Sequence, residues 1–125
     1  DGMNSFNHYS YGAIGDWLYR SAVGIREAAP GFKKIIIRPH TGGGFDHMQA
    51  STQTPYGKLA AKWTAEADVL KTLEVEIPIN TTAEIYVPAL SLEAVKSANG
   101  LKPVGYEDGY VKFEAGSGKY SFTVQ

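Results

Sequence analysis

The sequence predicts a mainly β protein: an antiparallel β-sandwich of about eight short strands preceded by one α-helix. Three observations carry this reading. Apolar and polar residues alternate through most of residues 58–124, the period of a strand with one buried face. Turn dipeptides, Pro30-Gly31, Asn99-Gly100 and Asp108-Gly109 among them, divide these stretches. One segment alone, Tyr11–Ile25, spaces its apolar residues at steps of three and four.

In that segment Ile14, Trp17, Leu18, Ala22 and Ile25 fall on one helical face, and Asp16 and Arg20 lie a turn apart on the other. Ser10 is placed to cap the first turn, and Gly24 to end the helix in a left-handed conformation. Tyr11, Tyr19 and Val23 widen the apolar surface beyond one stripe, so the helix expects neighbours on more than one side. After Pro30-Gly31, Lys33–Arg38 is a β-branched strand stopped by Pro39. Gly42-Gly43-Gly44 breaks regular structure, and Phe45–Gln53 reads as a strand of mixed pattern. Thr54-Pro55-Tyr56-Gly57 fits a type I turn.

From there the period is two. Leu59, Ala61, Trp63 and Ala65 share one face, as do Leu73, Val75 and Ile77, and then Ala83, Ile85 and Val87. Val111 with Phe113, and Tyr120 with Phe122 and Val124, supply two last strands. Asn99-Gly100 and Asp108-Gly109 are the dipeptides of tight hairpins, because they accept positive φ cheaply.

Composition narrows the function. The 125 residues suffice for one domain with a sizeable core, and 43% are hydrophobic against 20% charged. A formal charge of -1, without a basic stripe, gives no reason to expect nucleic acid or an anionic membrane as partner. No apolar run approaches a membrane span. Without cysteine there is no disulfide, thiolate nucleophile or Cys-based metal site. No cofactor motif is present, and the compartment is left open: bacterial periplasm, secreted or cytoplasm.

The opening run, Ser5-Phe6-Asn7-His8-Tyr9-Ser10-Tyr11-Gly12-Ala13-Ile14-Gly15-Asp16-Trp17-Leu18-Tyr19-Arg20, resembles the C-terminal region of bacterial α-L-rhamnosidases, the inverting glycoside hydrolases of family 78. The resemblance continues through Pro30–Pro39, Thr54-Pro55-Tyr56-Gly57, Trp63 and Ile77–Ala83, in the family's order. It implies that residues 1–29 are the last loop and helix of a catalytic (α/α)6 barrel, and residues 30–125 the C-terminal β-sandwich that follows. It also implies that the chain is part of something larger. Inversion needs one carboxyl group to protonate the leaving oxygen and another to activate water, roughly 6.5–9.5 Å apart. In the family both carboxylates precede the Asn-His-Tyr motif. Asp1 is too near the end of the sequence to be assigned to that role, and Asp16 sits inside the helix. The isolated chain is therefore expected to be inactive.

The resemblance makes His8 the substrate-binding residue, lining the sugar subsite where a neutral imidazole can hydrogen-bond a rhamnose hydroxyl. Asn7 and Tyr9 are its neighbours and shape the loop. Trp17 and Trp63 are in phase with apolar neighbours and read as core, not as sugar platforms. Tyr56, Tyr86 and Tyr106 are better placed for an exposed aromatic surface. His40 and His47 straddle the glycine run without a carboxylate at ligand spacing, so no metal site is expected. Gly42-Gly43-Gly44 lacks the lysine, serine and following helix of a phosphate cradle. Asn80-Thr81-Thr82, formally a glycosylation sequon, reads as a plain turn.

Three functions compete: the C-terminal part of a rhamnosidase acting on terminal α-L-rhamnosyl residues of glycosides or polysaccharides, a non-catalytic carbohydrate-binding module, and a purely structural sandwich. The partners expected are a rhamnosyl-containing carbohydrate and an upstream barrel. In the barrel's absence, the face of Ile14, Trp17 and Leu18 is expected to drive self-association.

Overall fold

The computed structural model describes residues 23–125. Among the described residues, ten strands make two five-stranded sheets. They are β1 (Ile25–Glu27), β2 (Lys34–Ile37), β3 (His47–Thr54), β4 (Gly57–Glu66), β5 (Val69–Ile77), β6 (Thr82–Pro88), β7 (Val95–Ser97), β8 (Gly105–Glu107), β9 (Tyr110–Ala115) and β10 (Gly118–Val124). The first sheet has the order β1-β2-β6-β9-β8 and the second β3-β4-β5-β10-β7. All neighbours are antiparallel except β2 and β6, which run parallel in the register Ile35↔Ala83 and Ile37↔Ile85.

The alternating residues do what their period demands. Leu59, Ala61, Trp63, Ala65, Leu73, Val75, Ile77, Ala83, Ile85, Val87, Val111, Phe113, Phe122 and Val124 are all buried in one core shared by the two sheets. Phe113 of the first sheet meets Phe122 of the second with ring centroids 4.8 Å apart, which locks the sheets face to face. A one-residue slip of any of these strands would turn its core side chains to water, so burial fixes the register.

Turn chemistry explains several connections. Asp108 (φ 53) and Gly109 (φ 82) form the two-residue hairpin between β8 and β9, as the dipeptide predicts. Thr54 and Gly57 close the β3–β4 hairpin. Tyr56 keeps a negative φ there, consistent with the type I turn. The Thr54 hydroxyl fastens it, accepting from the Tyr56 N–H at 3.1 Å and donating to the Gly57 carbonyl at 2.8 Å.

Elsewhere the structure differs from the sequence reading. Asn99-Gly100 does not make a hairpin. It closes a turn from Ser97, whose carbonyl accepts from the Gly100 N–H at 3.3 Å, and the chain then crosses from the second sheet to the first. The β4–β5 hairpin instead uses Ala67 (φ 51) and Asp68 (φ 65), two left-handed residues without a glycine. Ile25, expected on the apolar face of the helix, lies in β1 opposite Ile37 and is buried in the sandwich core. Gly24 has the left-handed φ of 88 that suits the end of a helix. A side chain there would also strike the Arg38 carbonyl oxygen. The helical segment before it lies outside the described residues.

Candidate functional site

His8, with Asn7 and Tyr9, also lies outside the described residues, as does Trp17. Among the described residues, polar and aromatic side chains gather on the outward faces of the two sheets.

On the first sheet, β2, β6 and β9 present a packed cluster. The Ile37↔Ile85 register brings Arg38, just past β2, beside Tyr86 on β6, and Tyr86 faces Lys112 on β9. The Arg38 guanidinium sits 4.3 Å from the Tyr110 ring centroid and 5.3 Å from that of Tyr86. The two rings meet edge to face, 6.3 Å apart at 86°. Lys112 Nζ lies 5.6 Å from the Tyr86 centroid. Behind them Glu84 pairs with Lys34 at 3.3 Å and Lys112 at 3.8 Å, and accepts from the Tyr86 hydroxyl at 3.2 Å.

Partial burial works to raise the Glu84 pKa. The Lys34 hydrogen bond, the charges of Lys112 and Lys34 and the Tyr86 hydroxyl outweigh it, so the carboxyl titrates below its ordinary value. For Lys112 burial works downward, and the Glu84 charge, then Tyr86 and Glu114, push the net shift upward. The cluster carries three cations for one paired carboxylate: Lys34 and Lys112 share Glu84, and Arg38 rests on the tyrosine rings. Its carboxylate is held ionised by two lysines, the opposite of what a general acid requires.

On the second sheet the outward positions form ladders across β3, β4, β5 and β10. Gln49, Lys62, Glu74 and Ser121 make one row, and Ser51, Ala60, Glu76 and Lys119 the next. The small side chains of Ser51, Ala60 and Ser121 leave a shallow trough of about 420 Å³ between the longer ones. Lys62 and Glu74 pair at 3.7 Å with both side chains more than half exposed, a geometry worth little in water. Tyr120, on β10 between the two rows, lines the trough and packs partly buried against the core.

The other residues singled out from the sequence do not converge. Tyr86 belongs to the first-sheet cluster, with Arg38 and Lys112 at its ring. Tyr106, at the rim, donates to the Ala89 carbonyl at 2.9 Å, and Tyr56 lies in the β3–β4 turn. Trp63 is 1% exposed, as core packing requires. His47 Nδ1 stands 2.9 Å from Asp46 Oδ1 on the surface. Among the described residues no group of three His, Cys, Asp or Glu side chains could hold a metal ion. Nor is any helix among them long and apolar enough to cross a membrane. The glycine run is tied to the β4–β5 turn: Thr41 donates to the Asp68 carbonyl at 2.8 Å, and the Gly44 N–H to Asp68 Oδ1 at 3.4 Å. Thr81, in the sequon, is 2% exposed and donates to the Ile79 carbonyl at 3.2 Å, completing a turn. Sequence reasoning missed the Arg38–Tyr110 partnership, because residues 72 positions apart meet only through the pairing of β2, β6 and β9.

Comparison with known proteins assigns this arrangement. A sequence model described as "Bacterial alpha-L-rhamnosidase C-terminal domain" matches residues 24–102. The chain belongs to that family. The rhamnosidase resemblance of the opening residues and the strand pattern thus agree on one family. An alpha-L-rhamnosidase of Streptomyces avermitilis is 38% identical over 122 residues, 98% of this chain and 12% of that protein. One of Formosa agariphila is 39% identical over 127 residues, 96% of this chain and 14% of that protein. The crystal structure of the Streptomyces avermitilis enzyme complexed with L-rhamnose superposes with a TM-score of 0.81 and 35% identity, over 96% of this chain and 12% of that one. A rhamnosidase structure from Dictyoglumus thermophilum gives 0.74 at 28% identity, over 90% of this chain and 13% of that one. The chain thus spans about an eighth of the length of its relatives.

Proposed function

We propose that this chain is the C-terminal part of an inverting α-L-rhamnosidase that removes terminal α-L-rhamnosyl residues from glycosides or polysaccharides. The supporting observation is the family match, joined to the small share of the relatives that the chain spans. In this reading the barrel's last loop and helix, given by the resemblance as residues 1–29, end before Gly24, because β1 pairs with β2 of the sandwich. The sandwich starts with β1. His8 hydrogen-bonds a sugar hydroxyl, with Asn7 and Tyr9 shaping its loop, and the acid and base carboxylates come from the barrel.

The sandwich itself is structural. Its most elaborate side-chain cluster ties β2, β6 and β9 to one another, and the tyrosine at the trough on the other face, Tyr120, packs against the core. A carbohydrate-binding module is the competing reading, and titration calorimetry with rhamnosides separates the two: the structural reading expects no heat at millimolar sugar.

Activity is tested with an aryl α-L-rhamnoside. The isolated chain is expected to release no product above the uncatalysed rate. In the full-length enzyme His8→Ala is expected to lower kcat/KM by about 10- to 100-fold, as loss of one hydrogen bond to substrate should. Proton NMR of the first-formed sugar is expected to show the inverted anomer. Turnover by the isolated chain, or wild-type kinetics in His8→Ala, would overturn this division of labour.

A further inference from the structure

The four sheet edges are unequal. β1, β7 and β8 are three residues long, and each carries charge: Arg26 and Glu27, Lys96, and Glu107. Short, charged edges are the usual protection against unwanted strand pairing. β3 has eight residues, His47–Thr54, and from Met48 to Thr54 it carries neither a charged side chain nor a proline.

The hydrogen-bond pattern identifies which β3 groups are free. The Ala65 N–H donates to the Asp46 carbonyl at 2.8 Å, which makes Asp46 and Ala65 a hydrogen-bonded pair of the β3–β4 ladder. Such pairs alternate in antiparallel strands, so Met48, Ala50, Thr52 and Thr54 also bond to β4. His47, Gln49, Ser51 and Gln53 therefore turn their backbone N–H and C=O groups sideways, away from β4. Among the described residues β3 pairs with β4 alone.

We propose that this edge is an interaction surface for a second copy of the chain, β3 pairing antiparallel with β3 about a two-fold axis at Ala50. The geometry selects that register. A residue whose side chain points into the core must face another of the same kind, and Met48 and Ala50 are buried. Centring on Ala50 sets His47 opposite Gln53 and Gln49 opposite Ser51, so all four sets of free backbone groups find partners. On the inner side Met48 meets Thr52, and Ala50 meets its copy without steric conflict. No like charges face each other between Met48 and Thr54. The result is one sheet continuous through both molecules, an isologous contact. The contact is one strand wide, below the size of a standard interface, so it is weak and concentration-dependent. It is separate from the proposed catalytic role.

The test is sedimentation and amide exchange on the intact chain between about 10 μM and 1 mM, the range in which so small an interface assembles. The mass is expected to rise from monomer toward dimer. Amides of Gln49, Ser51 and Gln53 gain protection with concentration, while those of Met48, Ala50 and Thr52, already bonded to β4, do not change. Ser51→Lys places a charge on the edge and is expected to abolish the mass increase with the thermal midpoint unchanged. Ser51→Pro removes an N–H that the β3–β4 ladder does not use, and should do the same. Three results would overturn the proposal: a monomer throughout, edge amides already protected at the lowest concentration, or a dimer that survives both substitutions. The second would mean that the chain covers its own edge, and the third that it associates elsewhere, as through residues 11–22.

Discussion

The outward faces of the two sheets are built from similar polar inventories and behave differently. On the first sheet, Arg38 lies within 5.3 Å of two tyrosine rings, and Glu84 accepts from Lys34 and Tyr86 and pairs with Lys112. Arg38, Glu84, Lys112 and Tyr86 each find a partner within the domain. On the second sheet, Lys62 and Glu74 meet at 3.7 Å in water, and the middle of the face is small residues. The lesson is about aromatic residues on a sandwich surface. Tyr86 reads from the sequence as part of an exposed aromatic surface, yet with Tyr110 it serves as the face on which Arg38 rests. Partnership inside the domain, not exposure of a residue type, separates a brace from a binding surface.

Substitutions can break or sharpen that contrast. The largest expected effect is at the edge of the first sheet. Gly24→Ala puts a Cβ against the Arg38 carbonyl in a left-handed conformation, and should cost about 3 kcal/mol or more in urea unfolding as β1 detaches from β2. Next, Arg38→Ala should cost about 1–2 kcal/mol through loss of two ring contacts. Lys62→Ala, its counterpart on the second sheet, should cost under about 0.5 kcal/mol. Equal losses would erase the difference between the faces.

A smaller gain is expected on the second sheet. Ala67→Gly relieves a left-handed alanine in the β4–β5 turn and should raise stability by about 0.5–1 kcal/mol, strain relief exceeding the added chain entropy. The smallest effect concerns pH. The folded Glu84 pKa lies below its unfolded value near 4.5, so its stabilisation is complete above that pH and is lost as pH falls through the folded value. Glu84→Gln should therefore flatten the acid limb of the stability curve below about pH 4.5, by less than about 1 kcal/mol, as followed by thermal melts.

The long strands were legible because each alternates over enough residues to declare a buried face. Leu59 through Ala65 and Leu73 through Ile77 leave no other register. Of the four edges only β3 was legible, as the strand Phe45–Gln53. β1, β7 and β8 are three residues each, too short for a period to show, and they are strands because of what they lie beside. The Ala67-Asp68 hairpin escaped for a related reason: nothing local favours a left-handed alanine, and the paired strands on either side impose it. For the proposed sugar site, the sequence points to His8 and its loop through a family motif, and these lie outside the described residues, while the Arg38–Tyr86–Tyr110 brace emerged only from the fold.

Local periodicity and turn chemistry, both properties of a few consecutive residues, determined that this chain makes a β-sandwich and which side chains enter its core. The sequence motifs pointed to the rhamnosidase family. Which strands share a sheet, that β2 runs parallel to β6, and that β3 is left as a long neutral edge were decided by tertiary structure. Those outcomes depend on pairing between residues far apart in the chain, where the hydrophobic pattern is the same for every alternative partner and only simultaneous burial of both faces selects one.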